Sequence, residues 1–472
     1  MAPRFTLTPF EFFVFPTRTR FPFRYGIASM TDVPHLFLRT RVQTAAASSA
    51  GLASEGLPPK WFTKNPATTF DQDLPEMHTT IRHAAACAAE LARTPVTFFD
   101  FWHELNRQQT QWAHAKGIAP LLAHLGVSLC ERAVLDGLCR SLGQPAHRLI
   151  LDNQLGLRLG EIYPDLGRAE PRDLLPASPL ARVQVRHTVG LADPLTRAEI
   201  ALADRVEDGL PQDLDANVRA YGLHYFKIKL SGQLDHDRNR LQTVTRILDA
   251  AVEGPWFVTV DGNENFTSMR AFQEFWEQLS PALGAFRSRI LAIEQPVKRD
   301  HALEPETGET LSAWIARPPL IIDESDGAVG DVARALALGY AGASHKNCKG
   351  IVKGLATACL LANRRRQGLP AMLTGEDLCN LGPVALLEDL AMMSLLGIEH
   401  VERNGHHYYR GLSMWPVDWQ NAVIASHPDL YHRIPPGFAA LKINHGQLEL
   451  GSVNHAPFGL CPLMDPATLD AA

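Results

Sequence analysis

The chain has 472 residues, of which 46% are hydrophobic and 20% charged, with 45 Lys and Arg against 51 Asp and Glu. This is an ordinary globular composition, long enough for a large core and two domains, and it excludes a disordered or fibrous chain. A formal net charge of −6 argues against nucleic acid and anionic membranes as partners. Seven cysteines, an odd number with no CxxC or zinc spacing, argue against a disulfide framework or structural zinc and suggest a reducing, cytoplasmic setting. The first residues, "MAPRFTLTPFEFFVFPTRTR", alternate like a strand and lack the charged start and apolar core of a leader. No stretch approaches the length of a membrane span.

In chain order, "FEFFVFPT" and "HLFLRTRVQT" read as strands, with "RTRFPFRYGIASMTDVP" as a loop between them. From about 70 to 145 the pattern turns helical, as in "TIRHAAACAAELA" and "LLAHLGVSLCERAVLDGLC". Strands followed by helices predict an α+β domain over residues 1–165, and the Pro-bearing stretch 169–181 reads as a linker.

After the linker come "RVQVRHTV", "YFKIKL", "WFVTVD", "ILAIE", "PLIID", "AGASHK", "PAMLTGE" and "IEHVE", whose starts are separated by roughly 22 to 43 residues. Eight strand-plus-crossover units over 180–410 predict a (β/α)8 barrel of the α/β class, and no phosphate-binding glycine loop follows any strand to favour a doubly wound sheet. Residues 411–472 hold Pro and Gly turns and a last alternating run, "QLELGSV", and are expected to return to the first domain. The triplet Arg364–Arg366 reads as a solvated helix end.

The polar residues on these strands carry the chemistry. In "FKIKLSG", Phe226, Ile228 and Leu230 share one face while Lys227 and Lys229 share the other. A barrel strand has both faces covered, so the lysines are expected inside, where they need charged partners. Three successive strands end in Asp261 (with Asn263), Glu294 and Asp323, the last beside Glu324, and Lys346 ends the next. One such acid would be read as a helix cap. Three converging in a barrel mouth would repel each other unless a cation neutralised them, and hard oxygen ligands suit Mg2+, with Mn2+ as a substitute.

The set "KIK", "DGN", "EQP", "DES", a lysine on the sixth strand and a closing "APFGL", in this order, resembles the enolase superfamily, within it the relatives of mandelate racemase and muconate-lactonizing enzyme. The resemblance covers nearly the whole chain and implies a capping domain, completed by C-terminal residues, over the barrel. It implies Mg2+ held by Asp261, Glu294 and Asp323, Asp323 being preferred to Glu324 by the DES match, since alternation turns only one of the two inward. It further implies Lys229 and Lys346 as acid/base lysines on opposite faces of a small carboxylate substrate, with Lys227 lowering the proton affinity of Lys229 and contacting the substrate carboxylate.

Proton abstraction α to a carboxylate through an enediolate is the expected chemistry, a pattern already general for this superfamily. Racemisation or epimerisation is the first reading. Cycloisomerisation (lactonising) or dehydration is the alternative, and a catalytically silent ligand-binding relative is the reading from another class. A two-carboxylate hydrolase would leave the paired lysines unexplained. No histidine ends the seventh strand, so a His–Asp dyad is not expected, and His345 should point away from Lys346. "SHKNCKG" departs from the familiar strand-six motif, and Lys349 and Lys353 are expected in the loop and helix beyond it. Glu376 and Asp377 end strand seven as substrate contacts or as a cap, and Glu402 ends strand eight before "RNGHHYYRG", which lines the pocket or lies on the surface. Candidate specificity residues from the cap are Arg24 and Tyr25, with Lys60 and Trp61 on a second loop. A homo-oligomer is expected.

Overall fold

In the computed structural model, residues 2–25, 28–435 and 437–469 are described. Strands β1 (Arg4–Leu7), β2 (Glu11–Tyr25), β3 (Ala28–Thr44), β4 (Ser48–Gly56) and the short β5 (Val96–Thr97) form an antiparallel sheet in which β3 pairs with β1, β2 and β4. The segment expected to be a loop between two strands is instead a long ribbon. β2 and β3 stay paired from Glu11↔Arg39 to Tyr25↔Ala28, with an irregularity between Arg18 and Phe23. Its Phe, Thr and Arg residues suit a two-stranded arm, and its Pro residues are tolerated because β2 is an edge strand.

Helices Phe70–Leu91 and Phe98–Lys116 pack against each other and against helix Pro120–Leu142, which packs against this sheet. The last begins with Pro at N1 and ends at left-handed Gly143. It has no polar face because it is buried all round, between the sheet and the barrel. Two glycines permit this closeness: a Cβ on Gly51 would lie 2.0 Å from Ala133 O, and one on Gly137 would lie 2.4 Å from Val42 Cγ2.

The eight expected barrel strands are all present: β6 (Arg182–Val189), β7 (Tyr225–Lys229), β8 (Phe257–Asp261), β9 (Ile290–Glu294), β10 (Leu320–Ile322), β11 (Gly342–His345), β12 (Met372–Gly375) and β13 (His400–Glu402). Each pairs in parallel with its neighbour, and β13 pairs with β6 to close the barrel. The chain then forms the hairpin β14 (Tyr431–Arg433) and β15 (Ala439–Leu441). β16 (Gln447–Glu449) follows and runs antiparallel beside β6. The C-terminal segment touches both units: Trp415 and Trp419 pack on Phe37 of β3, and Leu460 O accepts from Arg140. Among the described residues, no helix is long and apolar enough to cross a membrane.

Candidate active site

Parallel register sets the first layer of the site. Lys229 pairs with Asp261, and Asp261 with Glu294, so the three lie side by side on adjacent strands with inward side chains. Phe226, Ile228 and Leu230 are fully buried on the outer face, under the helices. Glu294 pairs with Ile321, which puts Asp323, two residues on, on the inner face as well. Glu324 does not follow the alternation, because β10 ends at Ile322 and the chain turns, Asp326 N donating to Asp323 O at 3.0 Å. Asp323 and Glu324 therefore both line the mouth, correcting the expectation that only one of them faces in.

Lys227 is caged by acids from four strands: its Nζ lies 2.9 Å from Glu294 Oε1, 2.8 Å from Glu376 Oε2, 2.9 Å from Glu402 Oε2 and 3.3 Å from Asp261 Oδ2. Burial alone would favour the neutral amine, but these carboxylates hold it as an ammonium well above the ordinary lysine range. Below the cage, Arg186 of β6 donates to Glu376 Oε1 at 2.8 Å. Lys346 Nζ sits 2.5 Å from Asp323 Oδ2 and 3.1 Å from Glu376 Oε2, and here too the carboxylates outweigh burial and raise the amine. Lys229 Nζ is 3.6 Å from Asp261 Oδ2.

Glu294, Asp323 and Glu376 each bring one carboxylate oxygen within 4.8 Å of the others. Burial, then the nearby Glu376, Asp261 and Asp323 charges, push Glu294 well above the usual carboxylate range despite Lys227. Burial also works against ionisation of Glu376, but Lys227, Lys346 and Arg186 prevail and hold it well below that range. Glu294 Oε2 is buried and makes no hydrogen bond. Crowded hard oxygens, one of them without a partner, fit a divalent cation such as Mg2+. Asp261, expected among the ligands, lies beside this trio: its Oδ1 accepts from Asn263 N at 2.8 Å and its Oδ2 meets the two lysines of β7.

The mouth is roofed by residues 58–65 of the cap. Trp61 lies over Lys346, whose Nζ is 4.6 Å from the ring centroid. The roof is latched by Glu264, which follows β8: Arg299 grips its carboxylate through Nε and Nη2, both at 2.9 Å, and also donates to the carbonyls of Trp61 and Phe62. Lys64 Nζ adds a contact of 2.7 Å to the same carboxylate. Burial opposes the ionised form, but Arg299 and Lys64 prevail and hold Glu264 at about 2. A depressed acid stabilises the fold above its unfolded value, near 4.5, and loses that contribution as pH falls toward 2. Glu264→Gln is therefore expected to lower unfolding stability at pH 7 by about 3 kcal/mol, and by much less near pH 2 to 3. Denaturant titrations at both pH values check this, and an equal loss at both would contradict it.

The pocket holds about 50 Å³ and is lined by the lysines and acids together with Phe23, Met30, Trp61 and Leu378. Lys60 lines it only with its stem, its Nζ being held by Asp73 at 2.7 Å, Asn65 O at 2.6 Å and Thr68 Oγ1 at 2.8 Å. Arg24 is exposed and lines a separate groove with Arg20, Asp204 and Arg205, and the Tyr25 side chain lies outside the described residues. Asn263 and Asp377 both line the mouth. Asp377 is paired with Arg403 and accepts from Cys379 N and Asn380 N, so it shapes its own loop. His345 points away, toward Asn347 at 3.1 Å, as expected from alternation.

Glu376, a candidate from the sequence as a substrate contact or a cap, is a central member of the lysine cage. Sequence reasoning missed other groups: Lys349, in the turn beyond β11 as expected, reaches back to Asp323 Oδ1 at 2.7 Å. Arg186 and Thr188 carried the same signal as the lysines, polar residues spaced by two in an otherwise apolar barrel strand, and were legible in "RVQVRHTV". Glu264 and Arg299 carried no such signal, because their pairing joins two loops. The "GHHY" stretch after β13 is buried under the arm, with Tyr408 against Phe21 and Phe23.

Neither a family model nor a curated protein matches the sequence. Solved structures match it over nearly its whole length. A mandelate racemase/muconate lactonizing protein from Herpetosiphon aurantiacus is 17% identical, with a TM-score of 0.58 over 96% of this chain and 98% of that one. A dipeptide epimerase from Enterococcus faecalis V583, complexed with Mg and the dipeptide L-Leu-L-Tyr, is 14% identical, with a TM-score of 0.60 over 96% and 99%. An N-succinyl Arg/Lys racemase from Bacillus cereus is 16% identical, with a TM-score of 0.54 over 96% and 98%. An antiparallel α+β cap on a closed eight-stranded parallel barrel, matched end to end by these structures, gives the chain the fold of the enolase superfamily in its mandelate racemase/muconate-lactonizing form.

Proposed function

We propose that the protein is a Mg2+-dependent enzyme that removes the proton α to the carboxylate of a small acid, with racemisation or epimerisation as the reaction and Lys229 and Lys346 as the acid/base pair. The observation that carries this reading is a buried cluster of three carboxylates flanked by Lys229 at the end of β7 and Lys346 just past the end of β11. Those strands are four apart in a closed ring of eight, so their ends face each other across the mouth. That opposition suits withdrawal of a proton from one face of a carbon and its return to the other.

Glu294, Asp323 and Glu376 would hold the cation. Bound there, it would polarise a substrate carboxylate and take up the acid charge that otherwise keeps Lys346 as an ammonium ion. Lys227, tied to four strands at once, stays cationic and orients the acids around the substrate carboxylate. Trp61 and the Glu264–Arg299–Lys64 latch exclude water.

Calorimetric Mg2+ titration of the protein beside its Glu294→Ala variant tests this. Saturable binding that falls by at least tenfold in the variant is expected. A folded wild-type protein that binds no Mg2+, with or without carboxylates, would return the chain to the silent ligand-binding reading.

A further inference from the structure

Asp323 is the most heavily engaged acid of the site. Its Oδ2 meets Lys346, which lines the mouth, while its Oδ1 takes the Ser344 hydroxyl and Lys349 Nζ at 2.7 Å. Lys349 lies in the short turn Asn347–Lys349 after β11, is 2% exposed and is not among the residues lining the mouth. Its ammonium is also tied to Asp323 O at 2.8 Å and to Ser344 O at 3.1 Å. The turn itself is pinned by the cap. Ser128 of helix Pro120–Leu142 donates to Asn347 O at 2.5 Å, and Glu131 accepts from Ile351 N at 2.5 Å.

Lys346 and Lys349 therefore differ in kind. Lys346 borders open space and can leave Asp323 when another partner arrives. Lys349 is walled in and stays. Around the cluster, Asp261, Glu294, Asp323, Glu376 and Glu402 already face Arg186, Lys227, Lys229, Lys346 and Lys349, so the acids of the site do not await the ion as bare charges. A divalent ion joining Asp323 meets one positive charge it cannot displace.

We infer that Lys349 is a positioning residue that limits the cation affinity of this site: it occupies Asp323 Oδ1, leaves only Oδ2 to face the mouth, and opposes the ion with a fixed charge. The inference rests on the proposed cation site. Removing Lys349 strips hydrogen bonds from two carbonyls whether or not the ion is present, so that cost cancels from the affinity, while the electrostatic opposition does not.

The test is Mg2+ titration, without substrate, of wild type, Lys349→Met, Lys349→Gln and Lys349→Arg. The Met and Gln variants are expected to bind Mg2+ at least tenfold more tightly than wild type, and the Arg variant within about threefold of it. Gln retains donors for the two carbonyls and serves where the Met variant does not fold. A purely structural lysine would give weaker or unchanged binding in the Met and Gln variants, and that result overturns the inference while leaving the cation site standing. Absence of binding in wild type and in every folded variant overturns both.

Discussion

Exchange of the substrate α-proton with solvent deuterium is expected to fall about 10³-fold in Lys229→Ala with one enantiomer and in Lys346→Ala with the other, with the fold retained. The pattern between enantiomers is more informative than the size. If each lysine serves one face, each variant loses exchange with one enantiomer and keeps it with the other. A cycloisomerase or dehydratase with one active base would instead lose all exchange in one variant, the other losing rate through charge alone. Proton resonance at the α-carbon in heavy water distinguishes these outcomes. Wild-type exchange in both variants would remove the lysines from the chemistry.

Lys227→Met is expected to cost about 3 to 5 kcal/mol of unfolding stability at neutral pH, because it leaves several buried acids without their common counter-ion. The acids lie within 3.3 Å of its ammonium and come from β8, β9, β12 and β13, so the loss falls on half the ring. A lysine raised above its ordinary value contributes fully below about pH 10 and loses its contribution only as pH passes the raised value. The deficit should therefore be complete at pH 7, shrink in acid as the carboxylates protonate, and be partly restored by Mg2+. Denaturant titration by circular dichroism measures it. A loss below about 1 kcal/mol would mean that the cage acids are not ionised around the amine.

Much of this was legible in the chain. Eight apolar runs at crossover spacing specify a closed parallel barrel, because each must bury both faces and no other arrangement of that many parallel strands leaves no edge. Period-two alternation turned Lys227, Lys229, Asp261 and Glu294 inward, since a strand inside a barrel has no third place to put a side chain. The same rule failed at Glu324, one residue beyond the last paired position of β10, where backbone hydrogen bonds no longer dictate direction. It does not reach Lys349, which lies as expected beyond the strand and whose short turn sends the lysine back beneath Asp323.

The partners of these residues belong to the tertiary structure alone. Lys227 meets Glu376 across 149 residues of sequence, and Arg299 meets Trp61 across 238. No local pattern encodes such distances, and which acid answers which lysine depends on where the strands of the ring stop. The sequence alone determined which strand residues turn toward the barrel interior, because pleating is a property of each strand. Only the closed ring and its roof decided how those charges pair, because a Coulomb interaction depends on separation in space, and the fold sets that separation.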